Sequence, residues 1–297
     1  MKRIKNSFTP RQYMITQDFE FFHNKDYSFK GVDMHNHDFY EIFYLLSGDV
    51  TYMIEGKSYK VKEGDIIIIN NKELHKTVIN PETIYERLVI WINPDFLKRQ
   101  SSENCDLSSF FDKLSRQGSN LLRPRPELLD NIKDAYIRLE NVYGSDALGS
   151  DILKYIYMTE LLVFLNRACN DSSDEKIDIE FNKKVINIIN YINKNLDSDL
   201  TLETLSTKFY LSKYHLLREF KKHTGYSIHQ YVLSKRLIIG RSLLREGMSV
   251  SDVSSKCGFG DYSNFIRSFR RSFGLSPKKY QKFVANPEIY KAEWENI

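Results

Sequence analysis

Few features of a secreted or membrane-anchored protein are present in this chain. It has three cysteines in 297 residues, Cys105, Cys169 and Cys257. They are far apart and odd in number, which argues against a disulfide framework or a zinc cluster and for a reducing cytoplasm. The longest unbroken aliphatic run is Ile66–Ile69, where a membrane span needs roughly 20 apolar residues. The opening MKRIKNSFTP is basic but leads into no apolar stretch, so no secretory signal is expected. With 13 glycines and 7 prolines the chain is neither collagen-like nor of low complexity, and 41% hydrophobic residues suffice for ordinary cores. Its length suggests two domains of about 150 residues each.

The modest net charge of +4 conceals a division. Residues 1–181 hold 23 Lys and Arg against 29 Asp and Glu, net −6, whereas residues 182–297 hold 20 against 10, net +10. A basic second half points to an anionic partner, most often nucleic acid, although a solvated surface alone also carries such charge.

Residues 18–93 read as β structure. Short runs rich in Ile, Val, Tyr and Phe (Glu41–Leu46, Val50–Glu55, Ser58–Val61, Asp65–Asn70 and Arg87–Ile92) alternate with turns at Ser47-Gly48-Asp49, Glu55-Gly56-Lys57 and Glu63-Gly64-Asp65. Many short, closely spaced strands predict a barrel or sandwich; Asn93-Pro94-Asp95 closes the region. From about residue 106 the period becomes helical, as in Leu128, Leu129, Ile132, Ala135, Tyr136 and Leu139. The stretch 150–168 is apolar on more than one face, which predicts burial against the barrel and against another helix, of the same chain or of a second protomer. Asn170–Lys176 is polar and without period, as a linker is.

Beyond residue 183 the chain repeats itself. Leu202-Glu-Thr-Leu205-Ser-Thr-Lys208 matches Val250-Ser-Asp-Val253-Ser-Ser-Lys256, and Leu216-Leu-Arg218-Glu-Phe220 matches Phe265-Ile-Arg267-Ser-Phe269, with one extra residue near Gly260 in the second copy. Each copy reads as a short helix, a tight turn and a longer basic helix, the helix-turn-helix pattern. Thr201, Ser212 and Ser249 are placed to cap helices, and Gly225 and Gly274 to end them. Leu216, Phe220, Phe265 and Phe269 fall on core faces. The opposite faces offer Lys213, Tyr214, Leu217 and Arg218 in one copy and Tyr262, Ser263, Asn264, Ile266 and Arg267 in the other, residue types suited to base edges in a major groove. Between the copies, Ser227 to Arg245 forms a helix of about 28 Å, close to the ~34 Å turn of duplex DNA. A helical protein-interaction module is the competing reading.

Residues 185–283 resemble the DNA-binding domain of the AraC/XylS family of bacterial transcription regulators. The resemblance rests on Gly258-Phe259, Tyr262, Phe265, Phe269-Arg270, Gly274, Ser276-Pro277 and Tyr280, with Arg236-Leu237 and Leu243-Leu244 in the linker helix. Ser254 and Gly240 depart from it, each standing at a usual alanine. The resemblance implies double-stranded promoter DNA as partner, base contacts from the two faces just named, a homodimer, contact with RNA polymerase and more often activation than repression.

The stretch His35-Asn-His37-Asp-Phe-Tyr-Glu41, with Gly48, Gly64-Asp65 and His75 further on, is similar to the cupin barrel signature. That resemblance implies a sensor barrel, and in metal cupins such residues hold a divalent ion. By parity along a strand, His35, His37 and Glu41 share one face. Two readings stay open: a divalent metal at His35, His37, Glu41 and His75, or no cofactor, with these side chains and Trp91 lining a pocket for a small polar effector such as a sugar. The expected architecture is α+β and multidomain: a cupin-like barrel over 1–105, a helical dimerisation segment over 106–170, a linker over 171–182, an all-α tandem helix-turn-helix domain over 183–285 and a tail over 286–297. The expected function is ligand-controlled transcription regulation, not catalysis; a metal-dependent cupin enzyme fused to a DNA-binding module is the alternative.

Overall fold

The computed structural model describes residues 13–171 and 179–285. The expected tail and most of the expected linker lie outside the described residues. The chain divides into two compact units, one reaching Ile179 and one beginning at Glu180, the second also counting the turn residues Glu55–Lys57.

The first unit opens with eight strands: β1 (Phe19–Asp26), β2 (Gly31–His35), β3 (Tyr40–Ser47), β4 (Val50–Ile54), β5 (Lys57–Val61), β6 (Ile66–Ile69), β7 (His75–Ile79) and β8 (Tyr85–Ile92). Helices α1 (Pro94–Gln100) and α2 (Ser109–Gln117), strand β9 (Leu121–Leu122) and helices α3 (Pro126–Val142) and α4 (Ser150–Asn170) follow, and strand β10 (Ile179–Phe181) straddles the boundary at Glu180. Two five-stranded sheets form, in the orders β1-β8-β3-β6-β9 and β10-β5-β4-β7-β2. The first sheet is covered on both faces, which is why its strands read as continuous apolar runs rather than alternating ones. Ile42 and Tyr44 of β3 join Ile66, Ile68, Leu88 and Ile90 in a core shared with α1 to α4. Phe43 and Leu45 point the other way, into a second core with Val50, Tyr52, Ile54, Ile67 and Ile69.

Two elements depart from the expected pattern. Asn93-Pro94-Asp95 does not merely close the strands: the Asn93 side chain accepts from the Asp95 amide and caps α1, with Pro94 at its first turn. β9 lies within the stretch whose periodicity is otherwise helical, and it forms because Leu121 and Leu122 pair with Ile67 and Ile66 across the chain. In α4, Met158, Leu161, Leu162 and Leu165 are buried as expected, but Ile152 and Ile156 of its first half are more than half exposed, as is Ile137 of α3.

The second unit is helical: α5 (Lys183–Lys194), α6 (Leu202–Phe209), α7 (Lys213–Thr224), α8 (Ile228–Arg245), α9 (Val250–Lys256), α10 (Tyr262–Phe273) and α11 (Pro277–Ala285). The caps fall where local chemistry places them. Thr201 accepts from Thr204 N, Ser212 from His215 N and Ser249 from Asp252 N, while Gly225 and Gly274 end their helices at φ 77° and 76°. The reciprocal capping box is at Ser227 and Gln230, at the start of α8; Ser249 instead both accepts from the Asp252 amide and donates to its carboxylate.

Helix α8 is the spine. It packs against α7 on one side of the repeat and α9, α10 and α11 on the other, and its 18 residues span about 27 Å. Gly240, a poor helix former, sits where α8 meets the second copy. A Cβ there would stand 3.3 Å from Phe265 Cε2, 3.4 Å from Val253 Cγ1 and 3.5 Å from Cys257 Sγ. A side chain there would press on Phe265 while touching Val253 and Cys257 at ordinary contact distances, so close packing opposes the gain in helix propensity that an alanine would bring.

Candidate nucleic-acid interface and effector site

Each longer helix of the repeat is two-faced. In α7, Leu216 and Phe220 are fully buried, and Phe220 meets the Tyr231 ring edge-on at 5.4 Å. Lys213, Tyr214, Leu217 and Arg218 are exposed, Tyr214 by 75% and Leu217 by 40%. The Arg218 guanidinium is held loosely, 3.3 Å from Glu219 and 5.9 Å above the Tyr214 ring. Lys213 pairs with Glu203 of α6. In α10, Phe265 and Phe269 are fully buried and stacked edge-on with Phe259, Phe273 and Tyr280 around them. Tyr262, Ser263, Asn264 and Arg267 are exposed. Ile266 is only half-exposed and packs against the buried core, because one step from Phe265 and three from Phe269 puts it on the boundary of the two faces. Lys221, Lys222, Arg270 and Arg271 are also exposed, a cationic end to each helix suited to phosphates. The sequence signal for them was simply the basic pairs before Gly225 and Gly274.

In the first unit the structure brings His35, His37, His75, Glu41 and Trp91 together. Strand parity is not the reason: β2 ends at His35, and His37 lies in the irregular stretch before β3. Convergence comes instead from cross-strand register, His35 opposite His75 and Glu41 opposite Trp91, with the chain turning at residues 36–39. One ring nitrogen from each of His35, His37 and His75 lies within 4.8 Å of the others. Their Nδ1 atoms face backbone carbonyl oxygens, of Asp33 at 2.7 Å, Phe39 at 2.8 Å and Glu73 at 3.1 Å. A nitrogen facing a carbonyl must carry the proton, so the neutral rings of His35 and His75 present Nε2 as a bare lone pair. Nε2 of His75 is buried without a hydrogen-bond partner, while that of His37 faces the Glu41 carboxylate.

Glu41 is the acidic member. Its carboxylate accepts from Trp91 Nε1 at 2.9 Å and Tyr52 Oη at 3.3 Å, and stands 3.4 Å from His37 Nε2. Burial pushes this carboxyl up, but His37 beside it, with His75 and His35 behind, outweighs burial and holds it at about 2. Burial, then mutual repulsion, pushes His75 well below the ordinary imidazole value, and His35 is lowered by burial and by His37. Trp91 packs between Phe22 and Phe39, at 4.8 and 4.6 Å, so it anchors Glu41. Arg87 escaped the sequence reading. It is buried on β8, paired with Asp26 and 4.1 Å over the Tyr85 ring. A charge within an otherwise apolar strand run was the available signal. Glu41, Tyr52, Tyr85 and Arg87 thus continue the histidine cluster as a polar track beside an apolar core.

Comparison with known proteins agrees with both halves. An AraC-like ligand binding domain matches residues 20–162, and a helix-turn-helix domain matches residues 205–282. Together these define a DNA-binding transcription regulator with its own ligand-binding domain. Relatives include the HTH-type transcriptional activator RhaS of Enterobacter sp. (strain 638), 27% identical over 253 residues covering 84% of this chain and 87% of the relative. RhaS of Escherichia coli (strain K12 / DH10B) is 24% identical over 245 residues, 82% and 85% of the two chains. The chain belongs to the AraC family of transcription regulators. Among solved structures, ToxT from Vibrio cholerae O395 aligns over 91% of this chain and all of its own, at 15% identity and a TM-score of 0.39. The relatives named above are transcription regulators. Among the described residues no helix is long and apolar enough to cross a membrane.

Proposed function

We propose that this regulator works in the cytoplasm as a homodimer that activates transcription, reading promoter DNA with α7 and α10 under control of a small polar effector bound in the first unit. The observation that carries the DNA reading is the pair of two-faced helices mounted on one spine. Each has a buried aromatic or aliphatic face and an outer face bearing an arginine, Arg218 or Arg267. The base-reading set is Tyr214, Leu217 and Arg218, then Tyr262, Ser263, Asn264 and Arg267. Lys213 stands at the margin because of its pairing with Glu203, and Ile266 adds an apolar edge. If each arginine meets a guanine bidentately, Arg218→Ala and Arg267→Ala should each weaken binding to a duplex selected from a random library by about 1–3 kcal/mol. Equal loss on selected and scrambled duplexes would reassign them to phosphates.

Dimerisation is proposed through α3 and α4, where a second copy would cover the exposed Ile137, Ile152 and Ile156. Activation follows the RhaS relatives, and an activator at a promoter acts through contact with RNA polymerase. The effector is proposed to lie along the polar track, with His35, His37, His75, Glu41, Tyr52 and Arg87 as its hydrogen-bonding groups. A carbohydrate suits such a mixed set of donors and acceptors beside aromatic rings.

A second reading is favoured by one observation, the imidazoles of His35, His37 and His75 gathered with a ring nitrogen of each within 4.8 Å of the others and the buried His75 Nε2 lacking a hydrogen-bond partner. His35, His37 and His75 with Glu41 fit a divalent ion, since backbone carbonyls orient each imidazole as they do in metal sites. A bound ion would supply a Lewis-acid anchor for effector oxygens; with open coordination the same site would serve the alternative of a cupin enzyme. Elemental analysis of the purified protein, and zinc titration of wild type against His75→Ala, test it. No stoichiometric metal and no difference in zinc uptake would remove this reading.

A further inference from the structure

The two turns of the repeat are built alike but filled differently. Helix α6 ends with the Leu211 amide donating back to the Ser206 carbonyl, and α9 with the Phe259 amide donating to the Ser254 carbonyl. Both closures need a left-handed residue one step earlier. In the second copy that residue is Gly258, at φ 72°. A Cβ there would lie 2.4 Å from the Leu196 carbonyl oxygen and 2.9 Å from Asp197 Cα, so only glycine fits. In the first copy it is Tyr210, at φ 53° and ψ 42°. A tyrosine gains nothing from this backbone and is strained by it. Its ring is not repaid by packing, since the side chain is 94% exposed.

A strained, bulky and fully exposed residue is unfavourable for folding and points to a role outside the folded chain. Its place narrows that role. Tyr210 stands three residues before α7, beside the end from which Tyr214 and Leu217 project, both exposed. Where a reading helix enters a groove by its N-terminal residues, the turn just before it lies against the groove wall, which is phosphate and sugar. A phenol there is a neutral donor on a rigid arm.

We infer that Tyr210 is a further DNA-contacting residue of the first helix-turn-helix unit, its phenol O–H donating to a phosphate oxygen that flanks the bases read by α7. This rests on the DNA-reading role proposed for α7. The contact positions the first unit without reading sequence, and the second unit, with its obligatory glycine, has no counterpart.

The test uses the full-length protein, a duplex it selects from a random library, a scrambled duplex, and the variants Tyr210→Gly, Tyr210→Phe and Arg218→Ala. Glycine suits the left-handed turn, so Tyr210→Gly raises the thermal midpoint by a few degrees, and loss of folding cannot explain lost binding. Its affinity falls roughly three- to tenfold on both duplexes, with the salt dependence unchanged because no cation is removed. Tyr210→Phe keeps the ring and loses the same affinity. Unchanged affinity in Tyr210→Gly, or full affinity in Tyr210→Phe, overturns the assignment. If Arg218→Ala weakens selected binding in that same experiment, the reading role of α7 survives; if it too has no effect, that role fails and takes the Tyr210 contact with it.

Discussion

Gly240 offers a quantitative test of how the second reading unit is held on its spine. On helix propensity alone, Gly240→Ala should stabilise α8 by about 1 kcal/mol. The surroundings oppose this. The new methyl group would meet Phe265 Cε2 at 3.3 Å, with Val253 Cγ1 and Cys257 Sγ at 3.4 and 3.5 Å, and crowding of a well-packed core costs about 1–3 kcal/mol. The substitution is therefore expected to be neutral or destabilising by up to about 2 kcal/mol. Phe265→Leu removes the nearest ring atoms and by itself costs about 1–3 kcal/mol, less than the full truncation of a buried phenylalanine. In that background the methyl has room, and Gly240→Ala should become stabilising by up to about 1 kcal/mol. The double-mutant cycle should thus show favourable coupling of about 1–3 kcal/mol, read from urea titrations of the full-length protein by far-ultraviolet circular dichroism. A gain of 1 kcal/mol from Gly240→Ala in the wild type, or additivity within about 0.5 kcal/mol, would refute the crowding argument.

Acid should loosen the first unit. His35 and His75 are held below the ordinary imidazole value of 6.5, so beneath that pH the unfolded chain takes up protons the folded chain refuses, and stability falls as pH drops. Glu41 extends the loss in the same direction, its contribution being whole above about 4.5 and disappearing as pH falls through about 2. Thermal midpoints measured at pH 8, 6 and 5 should decline in order; a flat or rising series contradicts the assignment. Ile152→Glu with Ile156→Glu should leave folding intact and shift sedimentation from dimer to monomer, whereas an unchanged dimer would place the interface elsewhere. Ser227→Ala should cost about 1 kcal/mol through the capping box of α8, and no loss of stability would show that the box is idle.

Sequence pattern reached furthest where the chemistry is local. Ser212, Thr201, Gly225 and Gly274 act on amides and carbonyls a few residues away, so their roles are visible without a fold. The buried faces of α7 and α10 follow from spacing alone. What escaped depends on partners distant in the chain. β9 exists only because β6 lies beside it. β1 and β7 carry buried Glu20, Asn24, His75 and Thr77 among their apolar residues, which breaks the strand signal. The α1 helix was legible in principle, as an asparagine followed by proline and aspartate, but reads equally as a turn. The histidines come together by a cross-strand register, not by the strand parity that the sequence pattern suggests. Tyr210 and Arg87 break local rules, and their significance appears only once burial and backbone conformation are known.

Hydroxyl-radical footprinting of the full-length protein on a selected duplex tests most directly whether one protomer reads DNA with two helices mounted on α8, a spine about 27 Å long. The expected result is two protected patches per protomer on one face of the duplex, about one helical turn apart, with Arg218→Ala opening one patch and Arg267→Ala the other. Loss of the same patch in both variants, or a single patch per protomer in the wild type, would contradict it.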